Sequence, residues 1–306
     1  MATTKIIFLI LPNVHLLDLA GPDQVFLEAK DFGADIEVRY TSFTNNLVTS
    51  TEMPLGHFEH FEAMDVKEGD YIFIPGADLK YLQSKELGNE KALIRWITEG
   101  YQKGAFICSV CTGAFFLGMV GLLDGKKCTT HWKRTTELQA YYPKAKVVEN
   151  ILFTEDERIY TSAGVTSGID MALHILNTLK DDMFSFKVAR ELVIYQRRSG
   201  NQEQTNIYFD YRNHIHTGIH NVQEWLIENI HEKPSMYHLA DIACMSVRNL
   251  TRIFKKETGI TINDYITLLR KEHIKELLKK PDLTRAQIAK ACGLKSERQV
   301  LRLMKM

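Results

Sequence analysis

The sequence predicts an α/β domain built on a parallel sheet, followed by an all-α domain that holds two helix-turn-helix units. Three observations predict it. Short β-rich runs alternate with amphipathic stretches over the first 180 residues, a serine-centred pattern recurs 50 residues apart near the other end, and charge separates between the two parts. With 306 residues, 45% of them hydrophobic and 25% charged, the chain can bury two cores. The same composition excludes collagen, a disordered chain and a disulfide-stapled miniprotein.

In chain order, Lys5 to Leu11, Ile36 to Phe43, Tyr71 to Pro75 and Ala105 to Val110 read as strands. Asp23 to Lys30, Glu90 to Lys103, Thr112 to Leu122 and Thr166 to Leu179 read as helices. Such alternation gives a parallel sheet with helices on both faces. Glu149 to Ala163 reads as a hairpin with Glu155-Asp156-Glu157 at its charged tip. The 20 residues from Gly104 to Leu123 carry no charge and match a membrane span in length. Four glycines, with Ser109, Cys111 and Thr112 at the centre, divide them instead into a buried strand and a short helix.

The cysteines, Cys108, Cys111, Cys128, Cys244 and Cys292, are odd in number and scattered, the pattern of a reducing compartment. The apolar run after Met1 is too short for a secretory signal. A cytoplasmic protein without membrane contact is expected. Residues 200–218 are polar and lose any sustained period, as a linker does. His214, His216 and His220 bunch there, but no carboxylate or cysteine completes a ligand set at a recognisable spacing. Exposed histidines, and no metal site, are expected.

Beyond the linker lies the repeat. Leu239-Ala240 precedes Ser246, Leu250, Arg252, Phe254 and Lys255; Ile288-Ala289 precedes Ser296, Val300, Arg302, Met304 and Lys305, and the four residues after each serine stand at the same offsets from it, +4, +6, +8 and +9. Each copy reads as a short apolar helix (Leu239 to Cys244; Arg285 to Cys292), a tight turn, and a second helix that the serine caps by accepting from its free amides. In the first copy Leu250, Ile253 and Phe254 form the buried stripe. Arg248, Asn249, Arg252 and Lys255 then point outward, where a major groove would receive them.

Charge agrees with this. The whole chain holds 38 Lys+Arg and 38 Asp+Glu, yet residues 237–306 hold 15 and 7, so that stretch is net +8 and residues 1–236 are net −8. A basic helical module is the electrostatic footprint of a phosphate-backbone binder. Arg248 and Asn249 are base-reading candidates in the first unit, and Lys295, Arg298 and Gln299 in the second. Arg252 and Lys255 suit phosphate equally well, and Arg302 takes the place of Arg252 in the second copy.

Residues 218–306 resemble AraC-type DNA-binding domains through LA-x5-Ser-x3-Leu-x-Arg-x-Phe-Lys, then Gly259 and Ile260, then IA-x3-Gly. The resemblance implies two helix-turn-helix units joined by a long helix, here Ile262 to Lys280, that enter successive major grooves of double-stranded DNA. Leu294, Val300 and Met304 stand where the second unit of that family usually shows aromatic residues.

In the first domain, Cys111 lies where a strand turns sharply into a helix. That turn would lift the thiol above the sheet, where a helix N-terminus favours thiolate and backbone amides can hold an oxyanion. The residues alone fit a buried structural cysteine equally well. Cys108 and Cys111 also spell C-x-x-C, but Cys108 falls inside the strand and not at its end.

Residues 1–185 resemble PfpI-like members of the class I glutamine amidotransferase-like superfamily. The matching runs are LLDLAGP (Leu16 to Pro22), SVCTGAFFLGMVGLLDG (Ser109 to Gly125), TTHW (Thr129 to Trp132) and SAGVTSGID (Ser162 to Asp170). The resemblance implies a flavodoxin-like fold, with Cys111 at the reactive-cysteine position, His131 as its partner, Asp18 as a carboxyl group near the thiol and Thr112 at the elbow. Lys133 stands where a His-x-Glu pair would put an acidic residue, so the orienting member of a hydrolytic triad is not evident.

The order of the two domains is that of GlxA-type transcriptional regulators. It implies a ligand-sensing domain at 1–185, a linker at 186–217 and a DNA-binding domain at 218–306, in a homodimer without cofactor or catalytic role. A small effector, nitrogen-containing by the same resemblance, would bind at the carboxyl ends of the strands near Asp18, Gly76, Cys111, Thr112 and His131. The alternative is a cysteine-dependent hydrolase or isocyanide hydratase-like enzyme that uses Cys111.

Overall fold

The computed structural model describes residues 3–45, 47–194, 199–201, 211–212, 214–278 and 283–305. The chain forms two compact units, Met1–Gln204 and Thr205–Met306. In the first, β1 (Thr4–Leu9) leads into α1 (Leu16–Asp31), and β2 (Ile36–Ser42), β3 (Glu59–His60) and β4 (Tyr71–Ile74) follow. The short helices α2 (Leu79–Leu82) and α3 (Lys85–Gly88) and the longer α4 (Lys91–Gln102) return the chain to β5 (Phe106–Val110), which turns directly into α5 (Gly113–Met119). After β6 (Lys127–Cys128), α6 (Thr135–Tyr141) and β7 (Lys146–Val147) come the strands β8 (Phe153–Asp156) and β9 (Ile159–Ser162). Helices α7 (Ser167–Leu179) and α8 (Asp182–Glu191) complete the described elements of the unit.

The main sheet has the order β3-β2-β1-β4-β5-β9-β8. Its pairings are parallel except for the hairpin β8–β9, the one predicted from Glu149 to Ala163. One face is covered by residues of α1, α7 and α8, among them Phe26, Met171, Leu176 and Val188. The other is covered by α4 and α5, through Leu93, Ile97, Phe115 and Phe116. With both faces covered, all four residues of β4 are buried, which is why such strands read as continuous apolar runs without alternation.

Two boundaries differ from expectation. Helix α1 starts at Leu16, ahead of Asp23, and carries Pro22 in its interior. A proline lacks the amide that pairs with the carbonyl four residues back, so Pro22 imitates a helix start. Here the turn before it is secured by the His15 carbonyl, which accepts from the amides of Asp18 and Leu19 at 3.0 and 3.3 Å. The boundary at 185 falls inside α8, whose Val188 and Ala189 are buried in the core of the sheet domain. Farther on, the Gly200 carbonyl accepts from the amides of Leu152 and Phe153. The expected linker thus begins with residues that pack on the first unit; positions 195–198, 202–210 and 213 lie outside the described residues.

The second unit comprises α9 (Thr217–Glu228), α10 (Met236–Ile242), α11 (Val247–Thr258), α12 (Ile262–Leu278), α13 (Arg285–Ala291) and α14 (Glu297–Lys305). Helices α9 to α11 and the first half of α12 share one core, with Val222, Leu239, Phe254 and Tyr265. The second half of α12 shares another with α13 and α14, through Ile274, Leu277, Ile288 and Val300. Helix α12 has 17 residues and is therefore ~26 Å long at 1.5 Å per residue. Among the described residues no helix is long and apolar enough to cross a membrane.

Candidate functional site

Cys111 follows the last residue of β5 in a left-handed conformation, φ 55°. Its amide donates to the Ser162 carbonyl at 2.9 Å, and its own carbonyl accepts from the Thr130 hydroxyl at 2.7 Å. Bare backbone presses on the thiol from two sides. A Cβ at Gly164 (φ 89°) would lie 2.2 Å from the Cys111 Cβ, and one at Gly76 would lie 2.4 Å from Asp18 Oδ2 and 3.0 Å from the Cys111 Cβ. The sharp strand-to-helix turn expected here is present, and those neighbours must be glycine for it to close.

Asp18, only 2% exposed, accepts from the Val165 amide at 2.6 Å through Oδ1, while Oδ2 lies 3.3 Å from His15 Nδ1. Burial pushes the Cys111 thiol well up, and the charge of Asp18 adds to this; hydrogen bonding from Thr112 opposes both. The Thr112 hydroxyl has one proton, and the Ala77 carbonyl at 2.8 Å takes it. The Thr112 amide is then the group left to favour the thiolate. The helix N-terminus expected to activate Cys111 is thus outweighed by desolvation. The His131 imidazole is held below its ordinary value, first by burial and then by Lys133. Its Nδ1 accepts from the Lys133 amide at 3.4 Å.

A pocket of about 570 Å³ opens above, lined by His15, Cys111, Thr112, His131, Lys133 and Arg134 among others. Asp18 and Gly76 lie beside the thiol, so the fold brings all five expected residues to one place. Sequence reasoning missed His15. The ligating atoms of His15, Asp18 and Cys111 lie within 4.8 Å of one another, and no other such trio occurs among the described residues. The i, i+3 spacing of His15 and Asp18 was the available signal; the approach of Cys111 was not visible in the sequence.

The remaining candidates separate clearly. Cys108 is fully buried inside β5 and Cys111 is a free thiol, so C-x-x-C is not a redox pair at a helix start. His220 Nε2 donates to the His214 carbonyl at 2.7 Å, His214 Nε2 donates to Gln223 Oε1 at 3.2 Å, and the His214 and His220 rings stack. These histidines brace the start of α9.

In the second unit, Ser246 accepts from the Asn249 amide at 3.3 Å and caps α11. Leu250 and Phe254 are buried, and Arg248, Asn249, Arg252 and Lys255 are exposed on the opposite side. Lys295, Arg298 and Arg302 are likewise exposed around α14. Gln299 differs: its Oε1 accepts from the Lys295 amide at 2.7 Å, so part of this base-reading candidate is engaged by its own helix start.

Comparison with known proteins gives two matches along the chain: the DJ-1/PfpI family over residues 4–178 and a helix-turn-helix domain over residues 239–306. The HTH-type transcriptional regulator CdhR of Pseudomonas aeruginosa is 25% identical across 94% of this chain and 84% of its own length. Isonitrile hydratase of Pseudomonas putida is 31% identical over 56% of this chain and 70% of its own length. The crystal structure of an AraC family transcriptional regulator from Pseudomonas putida superposes with a TM-score of 0.53 at 22% identity, covering 62% of this chain and 99% of that one. That structural likeness concerns the fold.

Proposed function

The chain belongs to the DJ-1/PfpI family through its first unit and carries an AraC-type helix-turn-helix domain after it, and from that premise we propose a DNA-binding transcriptional regulator controlled by a small effector. The observation that carries the reading is the exposed basic face of α11, capped by Ser246 and backed by the buried Leu250 and Phe254, with a second basic helix at α14. A helix held this way presents side chains to a major groove and keeps its apolar stripe in the core. Arg248, Asn249, Lys295 and Arg298 read bases; Arg252, Lys255 and Arg302 contact phosphate; Gln299 reads a base once it leaves the Lys295 amide.

The effector enters the 570 Å³ pocket above Cys111, Thr112 and His131. Lys133 at its wall suits an anionic group and Asp78 a nitrogen cation, while Arg134 and Glu137, also at the wall, pair with each other at 2.8 Å. A cytoplasmic homodimer presents two such DNA-binding units to paired sites. In this reading the first unit senses, residues 218–306 bind DNA, and the stretch between joins them.

Footprinting with the protein's own upstream DNA, with and without metabolite extract, tests the proposal. A salt-sensitive protected site spanning adjacent grooves is expected, and Arg248→Ala should cost about 1–3 kcal/mol at that site. Binding no tighter than to random duplex at moderate salt would refute the regulator reading. A second reading rests on the left-handed elbow at Cys111: an isocyanide hydratase-like enzyme. It requires turnover that disappears in Cys111→Ala while DNA affinity is retained. The raised thiol favours the non-catalytic sensor.

A further inference from the structure

We propose that His15, Asp18 and Cys111 form a binding site for a zinc-class divalent cation at the floor of the sensor pocket. The three ligating atoms, an imidazole Nδ1, a carboxylate oxygen and a thiol sulfur, lie within 4.8 Å of one another although they come from the β1–α1 turn, α1 and the end of β5. Nitrogen, oxygen and sulfur donors in one cluster match the ligand set of zinc, with its indifference to mixed donors.

The spacing fits as well. His15 Nδ1 and Asp18 Oδ2 are 3.3 Å apart, long for a charge-assisted hydrogen bond. It equals the span of two donors each about 2.0 Å from a tetrahedral ion. Asp18 is oriented by the Val165 amide on its other oxygen, an outer support of the kind that fixes ligating carboxylates. The left-handed turn at Cys111, secured by Ser162 and Thr130, fixes the sulfur.

An entry path and a coordination vacancy follow from position. His15 and Cys111 both line the pocket and Asp18 lies buried behind them, so an ion held by the three meets an open volume on the His15–Cys111 side, from which water or a donor atom of the effector supplies the fourth ligand. Structural zinc sites are closed by four protein ligands, and sites that bind an exogenous group keep one position free. The binding step is proton exchange without redox change: the metal forms a bond to Cys111 sulfur, the thiol proton leaves to solvent, and neutral His15 and the Asp18 carboxylate donate lone pairs. Lys133 at the pocket wall opposes a bare cation, but it favours an anionic fourth ligand on a bound one; Arg134 is paired with Glu137. Metal binding goes beyond the regulator reading; only the use of the metal in sensing rests on it.

Titration of the full chain with zinc chloride against a chromophoric chelator tests the site, with cobalt(II) as a spectroscopic probe. One equivalent per chain is expected, with a cobalt–thiolate charge-transfer band that vanishes in Cys111→Ser and persists in Cys244→Ser, where the exposed cysteine is removed. His15→Ala, at a half-exposed position in a turn, should weaken binding at least about tenfold, with circular dichroism confirming the fold. Stoichiometry well below one, a band that survives Cys111→Ser, or unchanged affinity in His15→Ala would overturn the proposal. Because metal content is read without DNA, its failure is separable from failure of the footprint.

Discussion

At the scale of single residues, Cys111 is defined as much by what its neighbours lack as by its sulfur. Gly164→Ala would place a Cβ 2.2 Å from the Cys111 Cβ at φ 89°, combining overpacking with backbone strain. Gly33→Ala, at φ 87° with nothing within 4 Å, carries the backbone cost alone, ~1–2 kcal/mol. Chemical denaturation of the two variants should therefore differ, with Gly164→Ala the less stable by a further ~1–3 kcal/mol. Burial also raises the thiols of Cys108 and Cys111, and pushes Cys128 up to about 12 and Cys292 to about 11. The folded chain therefore holds protons that the unfolded chain releases above about pH 8.5. Stability from these groups is complete below that pH and is lost as the pH rises toward their folded values, so the urea midpoint should fall from about pH 8.5 upward. Cys111, His131 and Asp18 were legible in the sequence because each sits in a recognisable run. His15 was not, because its role depends on a loop meeting the far end of another strand.

Among the elements, α11 and α14 begin differently despite their repeated serines. Ser246 caps α11 directly, whereas the Lys295 amide at the start of α14 is held by Gln299. Ser246→Ala should cost about 1 kcal/mol of stability in the helical unit, and Ser296→Ala less, measured by denaturant unfolding followed by circular dichroism. The offsets of the repeat revealed both helices, and a count of residues sees the period without seeing which side chain makes the cap. The strands were equally legible: being covered on both faces, β1, β4 and β5 are almost uniformly apolar. Helix α1 was cut short at Pro22 because the sequence shows a missing amide and not the His15 carbonyl that compensates ahead of it. Helix α8 went unread because its polar residues outnumber the few, Val188 and Ala189 among them, that it buries.

For the whole molecule, charge separates along the chain, with +8 on residues 237–306 and −8 on the rest. The full chain is neutral in sum, yet its interaction with DNA should be governed by the basic part. Affinity should fall steeply with salt, by about 10³-fold between 50 and 200 mM if six phosphates are contacted; a flat dependence in filter-binding assays would exclude phosphate-led binding. The acidic remainder should also discourage the sensor unit from lying along the same duplex.

Helix α12 belongs to two cores at once, Tyr265 and Leu269 serving the first and Ile274 and Leu277 the second. This makes the unit tolerant of substitution on that helix's outer surface and intolerant of insertion or deletion. One residue added after Leu269 would advance everything beyond it by 1.5 Å and rotate it by 100°. Ile274 would leave its core, and α14 would be turned relative to α11 by the same rotation. The relative placement of α11 and α14 is therefore inherited as a length of peptide. A one-residue insertion should abolish binding to the natural operator even where the chain still folds, and changing the operator's spacing by one base pair should not restore it.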